Sequence, residues 1–67
     1  MREIKVDGHE QIVEKSIFKS LKKSSKEEVF AYIPYYNECF KGFTSGDYFY
    51  FKGEFLFFRA KIEKEES

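Results

Sequence analysis

A short connection between two strand-like runs constrains the fold of this chain most strongly. Residues 47–51 and 54–62 are both rich in aromatic residues, and only Lys52 and Gly53 separate them. Two residues that end in glycine, placed between runs of this kind, are typical of a tight β-hairpin turn. We therefore expect a C-terminal hairpin in which Phe51 lies opposite Glu54 and Tyr50 lies opposite Phe55.

This hairpin sorts its side chains onto two faces. Directly opposed residues point to the same face of a sheet, and successive residues point to opposite faces. One face, mainly aliphatic and Phe, then collects Phe49, Phe51, Leu56, Phe58, Ala60 and Ile62. The other, aromatic and basic, collects Tyr48, Tyr50, Phe55, Phe57, Arg59 and Lys61. A one-residue slip would exchange the faces, so the partition depends on the turn.

Two earlier segments follow the same alternation. Residues 2–6 place Ile4 and Val6 on the aliphatic side. Residues 29–33 form a third strand, in which Phe30 and Tyr32 lie on the aromatic side, and Pro34 ends it because proline has no N–H for a ladder. A short helix over 25–33 is the competing interpretation. Residues 37–46, with two glycines, are expected to form a loop.

A helix is predicted between the first two strands, over about residues 8–24. Asp7 and Glu10 have the spacing of a capping box, which marks a helix start. Val13, Ile17 and Leu21 then form one apolar stripe at four-residue spacing. We expect this stripe to pack on the aliphatic face of the sheet.

The expected fold is therefore α+β, in the order β-α-β-β-β. One helix packs on one face of a small, mainly antiparallel sheet with a C-terminal hairpin. Residues 1–62 are expected to form a single domain, and residues 63–67 a charged tail that frays.

Length and composition exclude several classes of protein. A chain of 67 residues makes one small domain and leaves no room for a nucleotide-binding α/β unit or a barrel enzyme. It has no apolar run near the ~20 residues that span a bilayer. Because charged Arg2 and Glu3 follow Met1 without an apolar stretch, no secretory signal is expected. A single cysteine makes no internal disulfide, so a cytoplasmic location is expected. Zero net charge argues against a duplex-DNA binder.

The aromatic face of the predicted sheet is the candidate binding site. Its residues are Phe30, Tyr32, Tyr48, Tyr50, Phe55, Phe57, Arg59 and Lys61. The predicted helix covers the other face, and a monomer rarely exposes an apolar patch of more than a few hundred Å². Three alternatives remain for what covers this face. The chain itself could cover it, with a 34–46 loop or by curling of the sheet into a small barrel. Otherwise a protein, including a second copy, or single-stranded nucleic acid stacked on the rings could cover it.

From these alternatives we expect a non-enzymatic protein-binding module, such as a regulator, inhibitor or accessory subunit, which acts as a homodimer. Single-stranded nucleic-acid binding by the same face is the alternative. His9 and Cys39 are the only residues of their types, which is too few for a zinc site, and nothing in the sequence brings them together as a nucleophile pair. No catalytic residue, metal or cofactor is expected.

Overall fold

Strand-forming residues dominate the chain outside one ten-residue helix, and they pair into one sheet. The computed structural model describes residues 2–63. Its elements are β1 (Arg2–Ile4), β2 (Val6–Val13), α1 (Lys15–Ser24), β3 (Val29–Ile33), β4 (Glu38–Ser45), β5 (Tyr48–Lys52) and β6 (Phe57–Ile62). Within these residues the strand order is β1-β3-β4-β5-β6-β2, and only the β1–β3 pair is parallel. The expected α+β class, with one helix on one face of a mainly antiparallel sheet and a C-terminal hairpin, is confirmed.

The N-terminal segment forms both edge strands of the sheet. Only Lys5 separates β1 from β2, yet β1 pairs with β3 at one edge and β2 pairs with β6 at the other. The chain therefore bends sharply at Lys5. The carbonyl oxygen of Lys5 accepts a hydrogen bond from the N–H of Glu63 at 2.9 Å. This bend curls the sheet almost into a barrel with an inner and an outer face.

The inner face forms the main core. Its buried residues are Val6, Val29, Ala31, Ile33, Phe49, Phe51 and Ala60, with Ile4, Phe40, Phe58 and Ile62 packed against them. Phe51 stacks between Phe49 and Phe58, with ring centroids 5.6 Å from each. The predicted aliphatic grouping of the strands is confirmed, but these side chains meet one another across the curled sheet and not the helix.

The hairpin connection is longer than predicted. Phe51 lies opposite Phe58 and not Glu54, and residues 53–56 connect the strands, with the N–H of Gly53 donating to the carbonyl of Leu56 at 2.8 Å. The predicted two-residue turn is thus wrong. Because the register changes by an even number of residues, every strand residue keeps its predicted face, whereas Phe55 and Leu56 leave the sheet.

The helix begins later than predicted and lies on the other face. Residues 8–13, predicted as helix, belong to β2, because pairing with β6 outweighs the local capping pattern. Asp7 accepts a hydrogen bond from the N–H of His9 at 3.0 Å within the irregular part of this strand. Phe18 is the buried residue of α1, while Ile17 of the predicted stripe is 49% exposed. The predicted packing of the helix on the aliphatic face is wrong because the curled sheet already fills that face.

Residues 37–46, predicted as a loop, contain the whole of β4, Glu38–Ser45. Gly42 sits inside this strand because Phe49 packs directly against it: a Cβ atom at this position would lie 3.0 Å from the Phe49 ring and would overlap the carbonyl oxygen of Tyr50. The glycine that favoured a loop is therefore required by close packing. The predicted strand 29–33, ending before Pro34, is confirmed.

Lys61 and Ile62 belong to β6, and residues 64–67 of the expected frayed tail lie outside the described residues. Between residues 2 and 63, no helix has the length and apolar character needed to cross a membrane.

Candidate functional site

The centre of the predicted aromatic face is covered by the protein itself. Tyr48, Tyr50, Phe57, Arg59 and Lys61 share the outer face of β5 and β6, as predicted. The helix places Phe18 on this face, 4.4 Å from Phe57 and 5.1 Å from Phe43 between ring centroids. Tyr50 stacks on Phe43 at 5.3 Å and is only 6% exposed. A second core, between helix and sheet, therefore replaces the open ring surface.

Arg59, at the edge of this second core, is held by contacts within the protein. Its guanidinium carbon lies 4.1 Å from the centre of the Tyr48 ring. Its Nε donates to the side-chain oxygen of Gln11 at 2.9 Å, which ties β6 to β2. Lys61 is exposed beside them. Arg59 and Tyr48 thus form a cation–π pair that belongs to the fold.

Phe30 and Tyr32 lie on the outer face but do not join Tyr50. Both are on β3, and β4 separates them from β5. They are 37% and 44% exposed, next to Lys41 and Cys39 in the register, and the Tyr32 hydroxyl donates to the side-chain oxygen of Asn37. The structure therefore does not bring the eight predicted site residues together as one surface.

The aromatic side chain with the highest exposed fraction among residues 2–63 lies elsewhere, on the β5–β6 connection. Phe55 is 88% exposed, and its neighbour Leu56 is 47% exposed. Across from them, the turn that follows β3 presents Tyr35 and Tyr36, which are 73% and 38% exposed. Between turn and connection lies a cleft of about 620 Å³, here called the end cleft, lined by Tyr36, Glu38, Phe40, Gly53, Glu54, Phe55, Leu56 and Phe58.

The floor of the end cleft is continuous with the main core. Tyr36 packs at 5.6 Å from Phe40 and 6.2 Å from Phe58, and Phe40 in turn lies 4.9 Å from Phe51. Tyr35 meets Tyr36 edge to face at 5.0 Å. These ring contacts position the floor before any ligand arrives, whereas Phe55 projects from the opposite wall into solvent.

The rim of the end cleft is acidic. Glu38 and Glu54 line it, both exposed, and no lysine or arginine of the described residues does so. Desolvation raises the pKa of the Tyr36 hydroxyl above its ordinary value of 10.0, and the negative charge of Glu10 raises it further, with a contribution from Tyr35. A third carboxylate, that of Glu10, therefore acts on the same surface.

Basic side chains gather in a different place, beneath the helix. A groove of about 540 Å³, here called the basic groove, lies beside the contact of α1 with the outer face of the sheet. Its lysines are Lys19, Lys22, Lys26, Lys41 and Lys52. Glu27 and Glu28 also line it, and Glu28 forms an exposed ion pair with Lys41 at 3.7 Å. Although the net charge of the chain is zero, the basic groove and the end cleft are surfaces of opposite charge.

Sequence reasoning missed Tyr35, Tyr36 and Leu56 as surface residues of the candidate site. The two tyrosines were placed on the 34–46 loop, which was one of three alternative covers of the aromatic face, and Leu56 was predicted on the aliphatic face. The signal that was present in the sequence is the grouping of rings within 34–46, but the partner of this turn is 53–56, which only the folded sheet brings near.

His9 and Cys39, the other candidate residues considered, are not brought together. His9 lies on β2 and Cys39 on β4, with β5 and β6 between them. Cys39 is free and exposed. Among residues 2–63, no group of three or more His, Cys, Asp or Glu side chains is placed to hold a metal ion.

Comparison of the chain with protein-family models, with curated protein sequences and with solved structures found no match.

Proposed function

We propose that this chain is a non-enzymatic protein-binding module, of the regulator, inhibitor or accessory-subunit kind, and that it binds its partner through the end cleft. The proposal depends on the exposure of Phe55, whose side chain is 88% exposed on the wall of an apolar cleft. The end cleft thus replaces the centre of the aromatic sheet face as the proposed interaction surface, because Tyr50 at that centre is buried.

Exposed apolar area supplies the free energy of the proposed binding. Burial of one phenylalanine side chain stabilises a complex by roughly 1.5–3 kcal/mol, and Leu56, Tyr35 and Tyr36 extend the same patch. Binding hot spots have this form, with a few large side chains around a preformed pocket and a polar rim. Since the ring contacts among Tyr36, Phe40 and Phe58 already order the floor, little side-chain entropy is lost when the cleft is filled.

The test compares Phe55→Ser with wild type as affinity baits in an extract of the native source. We expect at least one protein to be retained by wild type, lost with Phe55→Ser, and still retained by Ile17→Ser, which removes an exposed apolar residue from the helix instead. The protein found is then purified and its Kd measured against all three chains. Equal retention by wild type and Phe55→Ser would contradict the proposal.

A homodimer is the version of this proposal in which a second copy is the partner. Light scattering tests it directly: a homodimer has twice the 8.1 kDa mass of the chain, and Phe55→Ser should restore the single mass. A wild-type mass of one chain at high concentration removes this version and leaves a different protein as the partner.

Single-stranded nucleic acid remains the second candidate, and the basic groove favours it. Five lysines converge there from the helix, from the segment that follows it and from two strands. Phe57 also lines the groove, and the Nζ atom of Lys52 lies 5.9 Å from the centre of the Phe57 ring. Phe18 and Phe43 are 6% and 4% exposed, so base stacking on these two rings is prevented and phosphate contacts would carry the binding.

A further inference from the structure

We infer that the end cleft takes a protein segment in which a large apolar side chain is flanked by lysine or arginine. This inference rests on the proposed function and names the class of partner. The apolar side chain would sit between Phe55 and the ring floor, and the basic side chains would meet the rim.

The charge of the rim is the first support. Glu38 belongs to the start of β4 and Glu54 to the β5–β6 connection, so the carboxylates stand on two walls of the cleft. Glu10, on β2, lies outside the cleft lining, although its charge acts on the Tyr36 hydroxyl. A ligand in the cleft therefore meets negative charge from two separate parts of the chain.

The location of the positive charge is the second support. The basic groove holds its lysines on the outer face, and the residues that line the end cleft, within the described chain, include no cation. The rim carboxylates thus have no lysine or arginine of the cleft lining to pair with. Complementary charge across an interface selects the partner and speeds encounter, while the apolar contact supplies most of the affinity.

The same charges argue against a second copy docked cleft to cleft. A twofold contact places each surface against itself, so Glu38 and Glu54 of one chain would face the same carboxylates of the other. Like charges brought together in a partly desolvated contact destabilise a complex. A different protein with basic flanks has no such cost.

A random peptide library displayed on phage tests the inference with the full chain as bait. Peptides are selected on wild type and depleted on Phe55→Ser, so that those remaining depend on the end cleft. We expect them to share an aromatic residue or leucine with lysine or arginine within two positions. The strongest peptide is then synthesised with a fluorophore, and its Kd is measured by anisotropy.

The decisive variant is Glu38→Gln with Glu54→Gln. We expect a Kd about tenfold weaker than wild type, and a gap between the two chains that narrows as salt rises. The matched control, Glu3→Gln with Glu28→Gln, removes the same charge from exposed positions outside the cleft and should keep the wild-type Kd. All four positions are exposed, and a thermal melt of each chain verifies folding.

The outcomes separate the two proposals. Cleft-dependent peptides that lack basic residues, or a Kd unchanged by the double Gln variant, overturn the charge inference and leave the protein-binding function intact. A wild-type dimer that Phe55→Ser dissociates also overturns it, because the occupant is then a second copy. If no selected peptide is lost on Phe55→Ser, the cleft is not a binding site, and both proposals fail.

Discussion

The ring of Phe18 lies 4.4 Å from the ring of Phe57, centroid to centroid, with 39° between their planes. This contact joins the middle of α1 to the outer face of β6 and determines which face of the sheet the helix covers. It also explains why the open aromatic face expected from strand alternation does not exist at its centre. Phe55, which is 88% exposed, lies instead at the end of the sheet, across the end cleft from Tyr36.

Removal of the Phe18 ring should destabilise the protein strongly. Phe18→Ala leaves a cavity against Phe43 and Phe57, and we expect the free energy of unfolding to fall by about 3–5 kcal/mol. Urea denaturation of the variant and of wild type measures this difference in the free energy of unfolding. Because a 67-residue chain has little stability to lose, Phe18→Leu serves as a milder variant, with a loss of roughly 1–2 kcal/mol.

The control for Phe18 is its neighbour in the helix. Ile17→Ala truncates a residue that is 49% exposed, and we expect a change below about 1 kcal/mol. If Ile17→Ala were the more damaging substitution, the helix would pack by the stripe that its sequence pattern indicates, and the contact of Phe18 with the sheet would be refuted.

Phe55→Ser should leave the fold intact. The side chain is 88% exposed on the 53–56 connection, so the free energy of unfolding should change by no more than about 0.5 kcal/mol. Thermal unfolding followed by circular dichroism measures this. A large loss of stability would mean that Phe55 is packed in the folded chain, and its exposure could then not support a binding surface.

Gly42→Ala should be among the most damaging small substitutions. The added methyl group would overlap the carbonyl oxygen of Tyr50 on the paired strand β5 and press on the Phe49 ring, so we expect a loss of about 1–3 kcal/mol or more. Gly46→Asn is the comparison: Gly46 has φ +61° with open space around it, and asparagine tolerates this conformation. Equal stability of the two variants would contradict the close approach at Gly42.

Salt dependence tests the nucleic-acid alternative. If labelled single-stranded oligothymidylate binds in the basic groove, log K should fall with log salt by about 0.7 for each phosphate contact. Lys22→Gln with Lys52→Gln should then reduce the slope by about 1.4, whereas Lys5→Gln with Lys15→Gln, outside the groove, should keep it. Absence of binding at low salt removes this function.

The hydroxyl of Tyr36 reports on the acidic rim. Desolvation first, and Glu10 second, raise its pKa above 10.0, so Glu10→Gln should lower the pKa measured from the ring-carbon shifts by NMR. Because the pKa of this acid is higher in the folded chain than in the unfolded chain, the unfolded state loses its proton first as pH rises. The contribution of Tyr36 to stability is therefore present below the ordinary tyrosine pKa and is lost as pH rises above it. An unchanged pKa in Glu10→Gln would mean that this carboxylate does not act on the Tyr36 hydroxyl.

The sequence by itself determined the division of strand residues between two faces. Alternation has a period of two residues and is a local property of the backbone, so Phe49 and Phe51 could be separated from Tyr48 and Tyr50 even with the wrong turn. The end of β3 before Pro34 follows equally from local chemistry, since proline cannot donate to the ladder.

Only the tertiary structure decided where those faces go. Residues 8–13 carry a helix-start pattern but gain a ladder of hydrogen bonds with β6, and that pairing partner lies some fifty residues away along the chain. The bend at Lys5 closes the sheet on its aliphatic face, which leaves the aromatic face to Phe18. The end cleft likewise joins Tyr36 to Phe55, and their proximity results from strand order, a global property that no local pattern encodes.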